Sequence, residues 1–255
     1  MSHLGLLSIV LCSVFLLYAC YSDLKTRSVP NELWLLLILL GLPLAGYQVV
    51  RNGIPYLAHY LLALLTTALL AYLFFRLHLF GGADAKGLIA IAVLFPTHPL
   101  NERVLLDPFP FAITTLFNGA IASAVILPLV FLSLFVYNRV YVGPEEARKD
   151  RGLAFIGYRI PINTLPRVNY SRIRLLHSFE DEGADGVTRR FIVGGLEIDE
   201  ERIEQLTRYH KEGKIGEYVL VTPGLPYMLF ITAGFFIALF YGNLIFELMG
   251  LFLPL

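Results

Sequence analysis

Apolar residues along this chain gather into long unbroken runs, without the three-to-four spacing of an amphipathic helix or the alternation of a half-buried strand. Six runs approach the roughly 20 residues that a membrane span requires: Leu4–Tyr21, Leu33–Val50, Tyr56–Leu79, Ala85–Leu100, Phe109–Tyr137 and Gly224–Leu253. The fourth is short and contains Pro96. Between the fifth and sixth runs the pattern changes. "FIGYRIPI", "IRLLHSFE" and "TRRFIVGG" read as strands, with "EDEGADG" as a turn. Asp199 is placed to cap a polar helix through about Lys211, Gly213 to end it, and "EYVLVTP" to return the chain to the membrane. The pattern predicts an α-helical polytopic membrane protein of about six transmembrane helices, with a small antiparallel α+β domain inserted before the last helix. Residues 1–137 would hold helices one to five, 138–223 the soluble insert, and 224–255 the sixth helix.

Composition agrees with this expectation. The chain has 255 residues, of which 56% are hydrophobic and 16% charged, and its mean hydropathy of +0.66 is far above that of a soluble domain. Net charge is zero, but its distribution carries information. Placing Lys25, Arg27, Arg76, Lys86 and the insert on one side gathers 18 of the 20 Lys and Arg there, leaving Arg51 and Arg103 opposite. By the positive-inside rule that side is the cytoplasm, which puts both termini outside a multi-pass plasma-membrane protein. The first run lacks a basic leader and a small-residue cleavage site, so it reads as a retained span. Cys12 and Cys20 form no CxxC pair and read as small apolar fillers. Neither composition nor motif calls for a nucleic-acid partner or a cofactor.

Ionised groups at the edge of a span are functional candidates because hydrocarbon penalises them. Outside the insert the acids are Asp23, Glu32, Asp84, Glu102, Asp107 and Glu247. Glu102, Asp107 and Glu247 fall at the outer side, and Glu32 reads as a solvated loop residue. Asp23 ends the first span and Asp84 opens the fourth, so the charge-derived topology brings both to the cytoplasmic face. Two carboxylates held close share a proton: one can activate a water while the other protonates the carbonyl under attack. Gly81 and Gly82 suit a backbone that passes close to a substrate strand or adopts positive φ. Each acid also has an ordinary explanation. A helix N-terminus favours Asp84, and Lys25 with Arg27 could hold Asp23 in an interfacial ion pair.

"GGAD" (Gly81–Asp84) resembles the GxGD motif of intramembrane aspartic peptidases, and "DLKTRSVPN" (Asp23–Asn31) is similar to a stretch of type IV prepilin peptidases. Together with "TPGLP" (Thr222–Pro226), they resemble the archaeal preflagellin and prepilin peptidases. That resemblance implies an aspartic endopeptidase with Asp23 and Asp84 as the catalytic pair. Gly81, Gly82 and Ala83 would let the substrate backbone approach, with Lys25, Arg27, Pro30, Asn31 and Lys86 in support. Ala83 departs from the second motif glycine, which is tolerable if φ stays negative there. The implied partner is a pilin-like or archaellin precursor, whose short basic leader is removed ahead of a hydrophobic helix at the cytoplasmic membrane face. Acidic runs at Glu180–Glu182 or Asp199–Glu201 could attract that leader. Bacterial relatives add a cysteine-rich insert and N-methylation, and no such insert is present in this sequence.

Other chemistries fit less well. Ser123 and His59 could in principle form a serine peptidase pair, but no GxSx context surrounds the serine. None of the six histidines has the HExxH spacing of a zinc peptidase, and no metal set is indicated. A proton-coupled transporter using both aspartates as a relay remains open at this stage, although such acids usually sit near the midplane of repeated halves.

Overall fold

The computed structural model describes residues 3–77, 79–100, 109–142, 153–167, 172–181 and 187–252. They fall into two compact units, Met1–Ala124 with Pro226–Leu255, and Val125–Leu225.

The first unit is helical: α1 (His3–Thr26), α2 (Asn31–Arg76), α3 (Gly82–Leu94), α4 (Phe111–Tyr137, shared with the second unit), α6 (Tyr227–Tyr241) and α7 (Leu244–Phe252). Among the described residues, three helical runs are long and apolar enough to cross a membrane: Leu4–Thr26, Asn31–Arg76 and Phe111–Val140. The second of these is interrupted. Gly53 has φ 78° and ψ −169°, outside any helix, and Pro55 follows where a new first turn tolerates its missing N–H. A straight helix of 46 residues would be about 69 Å long, whereas the 13 residues of α3 reach about 20 Å. Yet the start of α3 meets both ends of α2. A Cβ on Gly87 would touch Trp34, a Cβ on Gly82 would touch Phe75, and Lys86 reaches Asn31. The far end of α3 touches both halves again, Leu94 against Gly41 and Val93 O accepting from Tyr60 Oη. The run is therefore a hairpin of two helices folded back at Gly53, matching the expectation of separate runs at Leu33–Val50 and Tyr56–Leu79.

Two expected spans are corrected. The run Ala85–Leu100 is helical only to Leu94, because Pro96 disfavours helical backbone at the residue before it and Phe95 has turned to φ −134°, ψ 85°. The run Gly224–Leu253 is broken by Gly242 (φ 78°) into α6 and α7. At about 20 and 23 Å, α3 and α6 are each shorter than the roughly 30 Å hydrocarbon layer. The break at Gly242 is sealed locally. The buried Asn118 of α4 donates to Gly242 O at 2.7 Å and accepts from Leu244 N–H at 3.0 Å, supplying the partners that the broken helix lacks. Close approach fixes α4 against α6: a Cβ on Gly119 would stand 2.6 Å from Phe230 O, and one on Gly234 would stand 2.2 Å from Thr115 O.

The second unit contains β1 (Tyr158–Pro161), β2 (Ile173–Asp181), β3 (Val187–Glu197), α5 (Glu200–Lys211) and β4 (Tyr218–Pro223). The strands form one antiparallel sheet in the order β1-β4-β2-β3. Helix α5 buries Ile203, Leu206 and Tyr209 on one face, and Ile203 and Leu206 join Leu175, Val219 and Val221 in a small core. Asp199 caps α5 by accepting from Arg202 N–H at 2.8 Å, and Gly213 follows with φ 71°, as the sequence predicts. Most of the expected turn at 180–186 lies outside the described residues, as do Glu102, Arg103, Asp107 and Glu182.

Candidate active site

Asp23 lies in the last turn of α1 and Asp84 in the first turn of α3, both within the first unit. They come within electrostatic range of each other. Asp84 is buried, with 7% of its surface exposed, while Asp23 is partly exposed. Asp84 faces back on its own turn: its Oδ2 accepts from Gly81 N–H at 2.9 Å, so the acid caps the helix it opens. Asp23 faces another element. Its carboxylate lies within electrostatic range of the backbone N–H of Met228 at the start of α6 and of the Arg27 guanidinium.

Of the two alternatives read for the glycines, positive φ is not met: neither has it, and Gly81 sits in extended backbone at φ −80°, ψ 170°. The Gly81 amide donates to Asp84 Oδ2. Added Cβ atoms would meet Asp84 Oδ2 at 3.4 Å and Phe75 at 3.7 Å, which are ordinary contacts. The replacement at Ala83 is accommodated because its φ is negative.

Supporting residues tie the loop between α1 and α2 to this corner. Lys86 Nζ donates to Asn31 Oδ1 at 2.5 Å, joining α3 to the start of α2, and Pro30 sets that start as the residue before the helix. Lys25 lies over the Tyr21 ring at 5.6 Å. Arg27 is the only non-glycine with positive φ among the described residues (φ 57°). It occupies the left-handed position where helices commonly end on glycine, and the Ser22 and Thr26 hydroxyls both donate to Ser28 O beside it.

Three further residues at this corner were not singled out from sequence. Phe80 stacks on Tyr227 (5.6 Å between centroids, 12° between planes), Tyr227 is within electrostatic range of Asp84, and the Met228 amide is within range of Asp23. "TPGLP" ended one residue short of them. Ser123 donates to Ala120 O within its own helix, an ordinary use of a hydroxyl on an apolar helix. Of the acidic runs expected to attract a basic leader, Glu180 pairs with Arg190 at 3.5 Å, Asp181 with Lys214 at 3.0 Å and Asp199 with Arg202 at 2.9 Å. These acids therefore already have partners within their own unit.

Fold and site together define a helical membrane protein with two acids gathered at the ends of two of its helices. Residues 10–136 match the model of the type IV leader peptidase family, and residues 150–244 match archaeal peptidase A24 C-terminus type II. The chain belongs to this family of leader peptidases. It is 24% identical to a preflagellin peptidase of Methanococcus voltae over 94% of this chain and 96% of that one. Against a preflagellin peptidase of Methanocaldococcus jannaschii identity is 19%, over 97% and 98%. Against the prepilin peptidase EppA of Methanothermobacter thermautotrophicus identity is 30%, over 53% of this chain but only 36% of the relative.

Proposed function

We propose that this protein is an aspartic endopeptidase of the membrane, with Asp23 and Asp84 sharing one proton, and that it removes the short basic leader from pilin-like or archaellin precursors at the cytoplasmic face. The observation that supports this reading is the approach of the two carboxyls from α1 and α3 to within electrostatic range, since the chain holds them 61 residues apart. Preflagellin and prepilin peptidase are the names of its relatives, and they supply the substrate class. In the proposed cycle the ionised carboxyl takes a proton from a water as it attacks the scissile carbonyl, and the protonated carboxyl gives its proton to the developing oxyanion. Collapse of the tetrahedral intermediate breaks the C–N bond, the leaving amine takes up a proton, and the pair returns to its starting state. Gly81, Gly82 and Ala83 lie beside Asp84, where the extended segment of substrate would pass.

The test is cleavage of a pilin-like precursor by the reconstituted full chain. Asp23→Asn and Asp84→Asn should each abolish cleavage while expression and membrane insertion stay near normal. Residues acting as a unit are non-additive, so the double variant should be no worse than either single. Substantial turnover by either folded single variant would overturn the mechanism.

A further inference from the structure

Trp34, the only tryptophan of the chain, stands one turn into α2 from Asn31, the residue that accepts from Lys86 of α3. Its side chain is buried, with 2% of its surface exposed, and fills a notch that Gly87 leaves on α3. A Cβ on Gly87 would stand 3.1 Å from Trp34 Cη2, 3.6 Å from Trp34 Cζ2 and 3.5 Å from Met228 Cε. Gly87 is buried on α3 together with Asp84, three residues and about 4.5 Å further along the helix. The ring therefore lies within a turn of Asp84, and it touches the same notch as Met228. Phenylalanine or leucine would serve for packing alone. The indole adds an N–H, which donates and never accepts and which usually finds a partner when buried. Among the described residues nothing accepts from Trp34 Nε1. A buried donor without an acceptor opposes folding, so the position carries a polar group that the packing of the free enzyme does not use.

Building on the reading of this corner as the peptidase site, we infer that Trp34 is a substrate-binding residue: its indole N–H donates to a main-chain carbonyl of the precursor, next to the carbonyl under attack at Asp84. The ligand is an acceptor, because an N–H is all that the indole offers. An extended peptide advances about 3.3 Å per residue, so with the scissile carbonyl at Asp84 a neighbouring one comes within reach of the ring in the Gly87 notch. Asp84 is itself buried, and the entry of substrate that uncovers the acid uncovers the indole one turn away. The contact fixes the register of the peptide, and register decides which bond faces the two acids.

Ring and N–H can be separated by substitution. In the reconstituted full chain acting on a tryptophan-free pilin-like precursor, Trp34→Phe keeps a ring beside Gly87 and removes the donor. Its KM should rise roughly tenfold, the effect of one hydrogen bond lost from binding. Its kcat and kcat–pH profile should stay native, because a contact made equally before and during the reaction moves KM alone. Trp34 is the sole indole, so its fluorescence reads the contact directly. In Asp84→Asn, which should bind without cleaving, the precursor should shift the emission in a saturable way. A native KM for Trp34→Phe would overturn the inference, as would unchanged emission while the precursor co-purifies with the enzyme; either result leaves the N–H to an enclosed water. A fall in kcat with a displaced pH profile, or a loss explained by a lowered melting temperature, would also overturn it and make Trp34 a spacer between helices. If Asp23→Asn and Asp84→Asn are inactive and Trp34→Phe is native, only the role of Trp34 falls; if either aspartate variant still cleaves, the aspartic mechanism falls and this inference with it.

Discussion

A methyl group on Gly234 would stand 2.2 Å from Thr115 O and 2.5 Å from Gly119 N, both main-chain atoms that cannot swing aside. Gly234→Ala should therefore push α4 and α6 apart, at about 1–3 kcal/mol of overpacking. Gly46 has nothing within 4 Å of its own added Cβ and lies in helical backbone of α2, so Gly46→Ala should gain about 0.5–1 kcal/mol. Thermal unfolding in detergent should show opposite shifts for the two variants, and equal shifts would refute this account of the helix contact. The sequence could not have ranked these glycines, because backbone proximity depends on a partner helix more than a hundred residues away. Asp23 and Asp84 were legible because charge at the edge of an apolar run stands out against its surroundings. Phe80 and Tyr227 were not, since an aromatic residue at a span boundary has many ordinary reasons to be there.

Among the elements, those with local punctuation were legible. Asp199 and Gly213 bracket α5 within a turn of their expected places, and β1, β2 and β3 follow the runs expected of them, whereas "EYVLVTP", read only as the return to the membrane, forms β4. The long apolar helices were legible in existence but less so in continuity. Gly53 and Gly242 each interrupt an apolar run, yet the sequence shows only a glycine among leucines, and other glycines such as Gly41 and Gly46 stay helical. What distinguishes Gly242 is its tertiary partner. Asn118 serves both sides of the break, and its side chain is fully buried. Replacing it by leucine strands a carbonyl and an amide, each costing about 1–3 kcal/mol when left without a partner. Asn118→Leu should therefore lower the melting temperature more than Thr66→Val, which removes only a hydroxyl bonded within its own helix. A smaller shift for Asn118→Leu would mean that the break finds other partners.

For the whole molecule, the distribution of basic residues predicts which parts lie on which side of the membrane. The native thiols provide little background, since Cys12 and Cys20 are both buried. Glu201→Cys, in the exposed first turn of α5, should react with a membrane-impermeant maleimide only after cells are opened. Arg51→Cys, also exposed, should react in intact cells. Labelling of Glu201→Cys from outside would reverse the topology and remove the cytoplasmic placement of the proposed site. The chain also makes its parts in a particular order during synthesis. Both aspartates leave the ribosome before the insert, but the Met228 amide in range of Asp23 and the Tyr227 ring that stacks on Phe80 come after it, at the start of α6. A nascent chain therefore carries two acids whose neighbours on α6 have not yet been translated. Proteolytic competence would arrive as a late step of biogenesis, when α6 docks, and neighbouring membrane proteins would be spared a half-made protease.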